Sequence, residues 1–317
     1  MGIRIEGYCP EHRAGIIACL QRNYDWMGKT DSKDVEHWLQ PTISYQWMED
    51  VSSEQYPYKY GIVLLSNDKV VGFLGCIYSR RYAVGKPYIY LTGTNWCIDE
   101  KYRMHLIPML KKMYETADVV GDFTPRKSVE EVLVKIFKFQ YFNREKLRFA
   151  PIPFLDCHEV EFRSLFPEDF SDLILRREYL DNIPFGIKCI EFSRNEERGY
   201  VFYQVMEYRG KWIQIVKVVN GELFARHAHE IIWQIQKKEC FDDCCDLTED
   251  ICEIVRRARS NMWMNLEAEK CFFQDEKIQH PMYDSVSVVR LVRNRRNPEI
   301  LPVIDFLYSE MVMLELR

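Results

Sequence analysis

The stretch from Tyr60 to Ile98 limits the fold most. YGIVLLSNDKVVGFLGCIYSRR reads as two strands about the polar turn SNDK, and YIYLTGTNWCI as a third. MLKKMYETA then has helical spacing, DVVGDFT reads as a buried strand, and VEEVLVKIFKF as a helix capped by Ser128, with acidic residues where the helix dipole favours them. Upstream, IRIEGY (3–8) alternates as a strand and PEHRAGIIACLQRNY has helical periodicity through Ile16, Ile17 and Leu20. A loop-rich stretch with Trp26, Trp38 and Trp47 follows, with a short helix at SKDVEHWLQ. An antiparallel meander that leads into a βαβ unit predicts an α+β domain, a mixed sheet with helices packed on it.

The second half repeats the pattern. FGIKCIEFS, GYVFYQVMEYRG and KWIQIVKVVNG are three strands joined by polar turns, and LFARHAHEIIWQIQKK is a helix after them. A helix around ICEIVRRARSNMW and late strands at CFFQ, SVSVVRLVR and MVMLEL complete it. YFNREKLRFAPIPFL lies between the halves as a closing strand or linker, and Pro151 and Pro153 mark a boundary. The expected domains are therefore residues 1–150 and 151–317.

Composition narrows the function classes. A net charge of -5 and a pI near 5.9 argue against a general nucleic-acid binder. No window approaches the roughly 20 apolar residues of a membrane span, and MGIRIEGYCPEHR has no apolar signal region. Eleven cysteines without scaffold spacing fit reduced thiols in a cytoplasmic protein. Cys240, Cys244, Cys245 and Cys252 with His227 and His229 lack paired C-x2-C knuckles, so packing thiols are favoured over zinc and no metal is expected. Cys97 and His105 lie near each other but in no protease context. The basic run RLVRNRRNP (290–298) reads as an exposed edge, with a phosphorylated acceptor as the rarer use. Walker, G-x-S-x-G and GxGxxG motifs are absent.

YLTGTNWCIDEKYRMHLIPMLKKM followed by VVGDFTPRKSVEEVLVKIFKFQYF resembles the acyl-CoA N-acyltransferase superfamily known as GNAT. The match is Ile98-Asp99-Glu100-Lys101-Tyr102-Arg103, continuing through Met104 to Pro108, with Phe139-Gln140-Tyr141-Phe142 at a later family motif. It covers roughly residues 3–150, and the second half would be a diverged copy. The resemblance implies acetyl-CoA or another acyl-CoA as co-substrate, entering where the fourth and fifth strands splay apart. Trp96, Cys97 and Ile98 would face its pantetheine, and Arg103, Met104, His105, Leu106, Ile107 and Pro108 its pyrophosphate. Bacterial members near surface-polysaccharide genes look similar, which implies a small-molecule amine acceptor such as a nucleotide-linked amino sugar.

The sequence departs from the family at informative places. Leu106 and Pro108 replace small residues of the phosphate motif; the leucine branch obstructs close approach and the proline removes a donor. Arg103 keeps its charge and His105 adds a donor when protonated. One or two lost neutral hydrogen bonds cost ~1–3 kcal/mol, or roughly ten- to hundredfold in affinity. The usual acid tyrosine is Phe137 here, leaving Tyr141, one turn later, as substitute. Thr92, Thr94 and Asn95 are polar neighbours of the cleft, with Asn95 suited to orienting a carbonyl or water. The expected function is N-acyl transfer to an amine; the rival is a GNAT-fold scaffold that has lost turnover.

Overall fold

The structure is a computed structural model that describes residues 2–24, 31–44, 56–83, 86–122, 125, 127–143, 147–149, 159–207, 211–239, 245–247, 290–294 and 307. The chain divides into two compact units, one holding Met1–Phe142 with Val289–Ile304, the other holding Asn143–Val288.

In the first unit β1 (Ile3–Gly7), β2 (Tyr60–Ser66), β3 (Lys69–Ala83) and β4 (Lys86–Ile98) form an antiparallel meander. The β2–β3 reversal is the expected SNDK turn. Asn67 and Asp68 both hold positive φ, which suits the right-handed twist of a two-residue hairpin. β5 (Val119–Asp122) pairs parallel to β4, after α3 (Leu106–Glu115) as crossover. α3 and α4 (Lys127–Lys135) cover one face of the sheet, burying Met109, Leu110, Met113 and Leu133 against Leu64, Leu74, Leu91 and Val120. α1 (Arg13–Asn23) and α2 (Ser32–Ser44) cover the other, with Ile16, Leu20, Val35 and Leu39 against Val63, Phe73 and Cys97. α2 outruns the expected SKDVEHWLQ helix and passes through Pro41, because Thr42 and Ile43 beyond it are buried and packing offsets the lost backbone bond. α4 ends sooner than the VEEVLVKIFKF pattern suggests, and Lys138 takes positive φ just beyond it.

The second unit has the same build. β8 (Glu161–Ser164) and α5 (Leu173–Asn182) precede the meander β9 (Ile187–Arg194), β10 (Glu197–Glu207) and β11 (Lys211–Val219). α6 (Gly221–Lys238) follows, and β12 (Cys245–Leu247) pairs parallel to β11. β8 and α5 went unread in the sequence: the strand is short and largely exposed, and the helix signals itself mainly by Asp172, whose carboxylate accepts the N–H groups of Ile174 and Leu175. The strand–helix–strand–strand–strand–helix–strand order is thus common to both units.

One element departs from the division at residue 150. SVSVVRLVR contributes β13 (Arg290–Asn294), which pairs antiparallel to β5 and stands between β5 and β6 (Gln140–Asn143) in the first sheet. In the second sheet the corresponding neighbour of β12 is β7 (Leu147–Phe149), from the stretch expected to be a closing strand or linker. The regions ICEIVRRARSNMW, CFFQ and MVMLEL lie outside the described residues.

A fragment of residues 1–150 leaves β5 and β6 without their shared neighbour and exposes two hydrogen-bonding edges. It is expected to aggregate or lack fixed tertiary packing, while fusing residues 289–317 to its end restores near-ultraviolet circular dichroism.

Candidate active site

The site is built on an irregularity in β4. Facing β3, Cys97 pairs with Phe73 and Thr94 with Gly75, so β4 spends one more residue than β3 over this span. Asn95 takes the extra place with φ 54, the left-handed conformation that asparagine tolerates at bulges. The effect on the backbone can be followed directly. The Ile89 N–H points to the β5 side, donating to Asp118 Oδ2 at 2.8 Å. Ten residues on, the Asp99 N–H points the other way and donates to the Val71 carbonyl, also at 2.8 Å. In an unbroken strand residues an even number apart face the same edge; here the bulge reverses the sense and turns the backbone of Ile98 toward the β5 side.

Along that edge the pairing with β5 stops before the end of β4. β5 pairs with Tyr90, Leu91 and Thr92 and ends at Asp122, while β4 runs on to Ile98. Among the described residues, no strand pairs with Gly93–Ile98 on this side. The two parallel strands therefore part within one sheet.

The bulge also sorts the side chains expected to face pantetheine. Trp96 and Ile98 lie on the α3–α4 face, and the Trp96 ring folds back so closely that a Cβ on Gly93 would lie 2.7 Å from its Nε1. Cys97 lies on the opposite face, its sulfur 3.4 Å from that of Cys19 on α1, and burial raises its thiol pKa well above the ordinary value. The pairing of Cys97 with His105 considered from sequence is therefore absent. The three residues do not present side chains together; backbone is what they share. The Trp96 carbonyl already accepts the Tyr24 hydroxyl at 2.8 Å.

Beyond β4 the chain turns through a 3₁₀ segment, Glu100–His105, straight into α3. Asp99 anchors this turn to α1: Arg22 donates to both its oxygens, at 3.2 and 3.0 Å, and Asn23 Nδ2 at 2.9 Å. Tyr102 is buried and donates to Ser66 Oγ at 3.0 Å. Of the residues expected at the pyrophosphate, Arg103 is exposed, with Glu100 at 3.5 Å as its ion-pair partner, and Met104 is 77% exposed. Leu106 and Ile107 instead pack against the α3–α4 core. His105 precedes α3 without capping it. The Leu106 N–H is spent on the Arg103 carbonyl and Pro108 has none, so the first three residues of α3 offer an anion at most one N–H, that of Ile107.

On the α1–α2 face the bulge places Asn95 beside Thr42 of α2, to whose hydroxyl Asn95 Nδ2 donates at 3.0 Å. That bond fixes the amide, and its Oδ1 is buried without a partner. Thr92 Oγ1 and Ser79 Oγ are likewise buried and unpartnered. Ser79 and Thr92 share this face by alternation, since Tyr78 and Leu91 belong to the α3–α4 core. The result is a set of neutral hydrogen-bonding oxygens beside the parting of β4 and β5. Thr42 and Ser79 were not singled out from sequence; a lone Thr after a proline and a Ser in a long strand carry no signal until the register is known.

The remaining expectations fall elsewhere. Phe137 is buried against Tyr114, with ring centroids 5.6 Å apart. Tyr141 belongs to β6, not to the preceding helix, and its side chain lies outside the described residues. His227 contacts Arg194 through Nε2 at 3.0 Å, and burial lowers its pKa. Cys240, Cys244 and Cys252 lie outside the described residues. Among the described residues no helix is long and apolar enough to cross a membrane, and no His/Cys/Asp/Glu group of metal-binding size occurs.

No family model and no curated protein matches the sequence. Solved structures do. A candidate acetyltransferase from Pyrococcus horikoshii is 12% identical with a TM-score of 0.51, the match covering 98% of this chain and 96% of that one. A GCN5-related N-acetyltransferase from Anabaena variabilis is 11% identical at 0.50, covering 93% and 73%. One from Kribbella flavida is 12% identical at 0.51, covering 78% and 64%. The chain has the fold of the GCN5-related N-acetyltransferases.

Replacing Asp99 by alanine removes three charge-assisted bonds that tie the end of β4 to α1. The expected loss is about 2 kcal/mol, read as a lower urea midpoint at unchanged slope.

Proposed function

We propose that the chain is an acyl-CoA-dependent N-acyltransferase acting through its first unit. The observation that carries the reading is the parting of β4 from β5 after Thr92, beside a bulge that turns the Ile98 backbone toward the gap. A thioester laid along this edge finds main-chain donors for its pantetheine and for the carbonyl oxygen that becomes negative during attack. The amine attacks the thioester carbon, the carbon–sulfur bond breaks, and the amine's proton leaves while the coenzyme thiolate takes one up. Asn95 Oδ1, Thr92 and Ser79 are suited to accepting N–H bonds from the approaching amine. An amino-sugar acceptor, suggested by the sequence resemblance, is the first class to assay. The same reading takes the chain as two copies of the fold, with the boundary near residue 150 amended by β13.

The phosphate end rests on charge more than on backbone donors, so binding is expected to be weak. Calorimetry with acetyl-CoA up to millimolar concentration is expected to register binding, and the ligand to raise the melting temperature. Absence of both effects would overturn the reading. Arg103→Ala is expected to weaken binding about tenfold, the size of one exposed charge-assisted contact. A non-catalytic scaffold is the second reading, favoured by Leu106 packed into the core with its N–H spent on Arg103. Binding of acetyl-CoA without release of free thiol across an amine panel would select it.

A further inference from the structure

The second unit has an irregularity of the same kind in β11, one residue nearer the end of the parallel pairing than in β4. β11 is paired in parallel through Ile213 and Gln214, as β4 is through Thr92. Two and three positions after Thr92 come Thr94 and Asn95; two and three after Gln214 come Val216 and Lys217. Facing β10, Ile215 pairs with Tyr203 and Lys217 with Phe202, so Val216 is the extra residue. Among the described residues Gln214 is the last of β11 in its parallel pairing, as Thr92 is the last of β4.

Its surroundings are unusual for a core. Ile213 and Ile215 pack under α6, which leaves Gln214 on the opposite face, the one α5 covers. Its direct cross-strand partner is Gln204. Both glutamines are almost wholly buried, and the Oε1 of each has no hydrogen-bond partner. Asn182, at the end of α5, is fully buried with an unpartnered Oδ1.

For two of the three amides the orientation is fixed by chemistry. Asn182 Nδ2 donates to the Glu178 carbonyl at 2.8 Å, and Gln204 Nε2 to the Phe185 carbonyl at 2.7 Å. Exchanging either amide's nitrogen and oxygen would set oxygen against oxygen, so both present acceptors. These contacts gather the residues around the C-terminal end of α5, where Glu178 also holds Lys217 Nζ at 2.5 Å. Within that ion pair the two charges offset each other.

We infer that the α5 face of β10 and β11 is a binding site for a primary ammonium group, held by the carbonyl oxygens of Asn182, Gln204 and Gln214. Two acceptors fixed by their own donor bonds, with Gln214 Oε1 beside them, match the three N–H donors of an alkylammonium, which has no acceptor of its own. A carboxylate or phosphate would meet oxygen lone pairs instead. The inference stands whether or not the first unit transfers acyl groups.

The test is thermal unfolding of the full chain in ethylammonium chloride, without acetyl-CoA, against tetramethylammonium and sodium chloride at equal ionic strength. Ethylammonium is expected to raise the melting temperature with a saturating dependence that the other two lack. Gln214→Met keeps the volume and deletes Oε1; it is expected to melt no lower than the parent, having lost an unpaired buried acceptor, and to lose most of the ethylammonium response. Gln214→Glu replaces the neutral acceptor by a charged one and is expected to shift saturation to lower ethylammonium concentration. An equal response to all three salts, no response to any, or a full response in Gln214→Met would overturn the inference and leave those oxygens to water alone.

Discussion

One extra residue in β4 governs the first unit. A regular strand would have continued beside β5 with its backbone groups alternating undisturbed; the insertion at Asn95 reverses that alternation, and beyond Thr92 the two parallel strands share no pairing. Pairing with β3 resumes at Cys97, so the interruption is confined to one side of the sheet. The cost is a short break in the ladder and a left-handed backbone at Asn95, which the bond to Thr42 and the Asp99 anchor on α1 help to hold. Reach toward a ligand through backbone, not through particular side chains, is what such a break supplies.

The meanders were legible because half-buried strands alternate in a period of two, and SNDK supplies residues that tolerate the turn's positive φ. Helices α3 and α6 were legible from their apolar stripes. Strand partners were not: RLVRN announces a strand but nothing in it names β5 as neighbour, since ladder bonds are made by backbone common to all residues. The site was half legible. Its position after the third meander strand followed from element order, whereas the facing of Trp96, Cys97 and Ile98 depended on a bulge that composition does not advertise. Arg103, expected at the pyrophosphate, stands exposed beside Glu100, while Leu106 and Ile107 pack against the core.

The buried polar groups in the two units make a consistent contrast. Ser79, Thr92 and Asn95 in the first, and Asn182, Gln204 and Gln214 in the second, lie on the face away from the crossover helix. An apolar residue at each place would give a more stable sheet, because an unmade buried hydrogen bond costs more than a neutral replacement.

The late strand β13 has a consequence for how the chain comes to be folded. Arg293 lies opposite Val120, so more than half the chain's length separates two residues that share a ladder. During synthesis β5 and β6 leave the ribosome well before their common neighbour exists. The first sheet therefore stays unfinished while the whole second unit is being made, with its raw edge open to mispairing or to a chaperone. A chain that looks in sequence like two modules in series is, in the order of its folding, one closed loop whose last stitch completes the first.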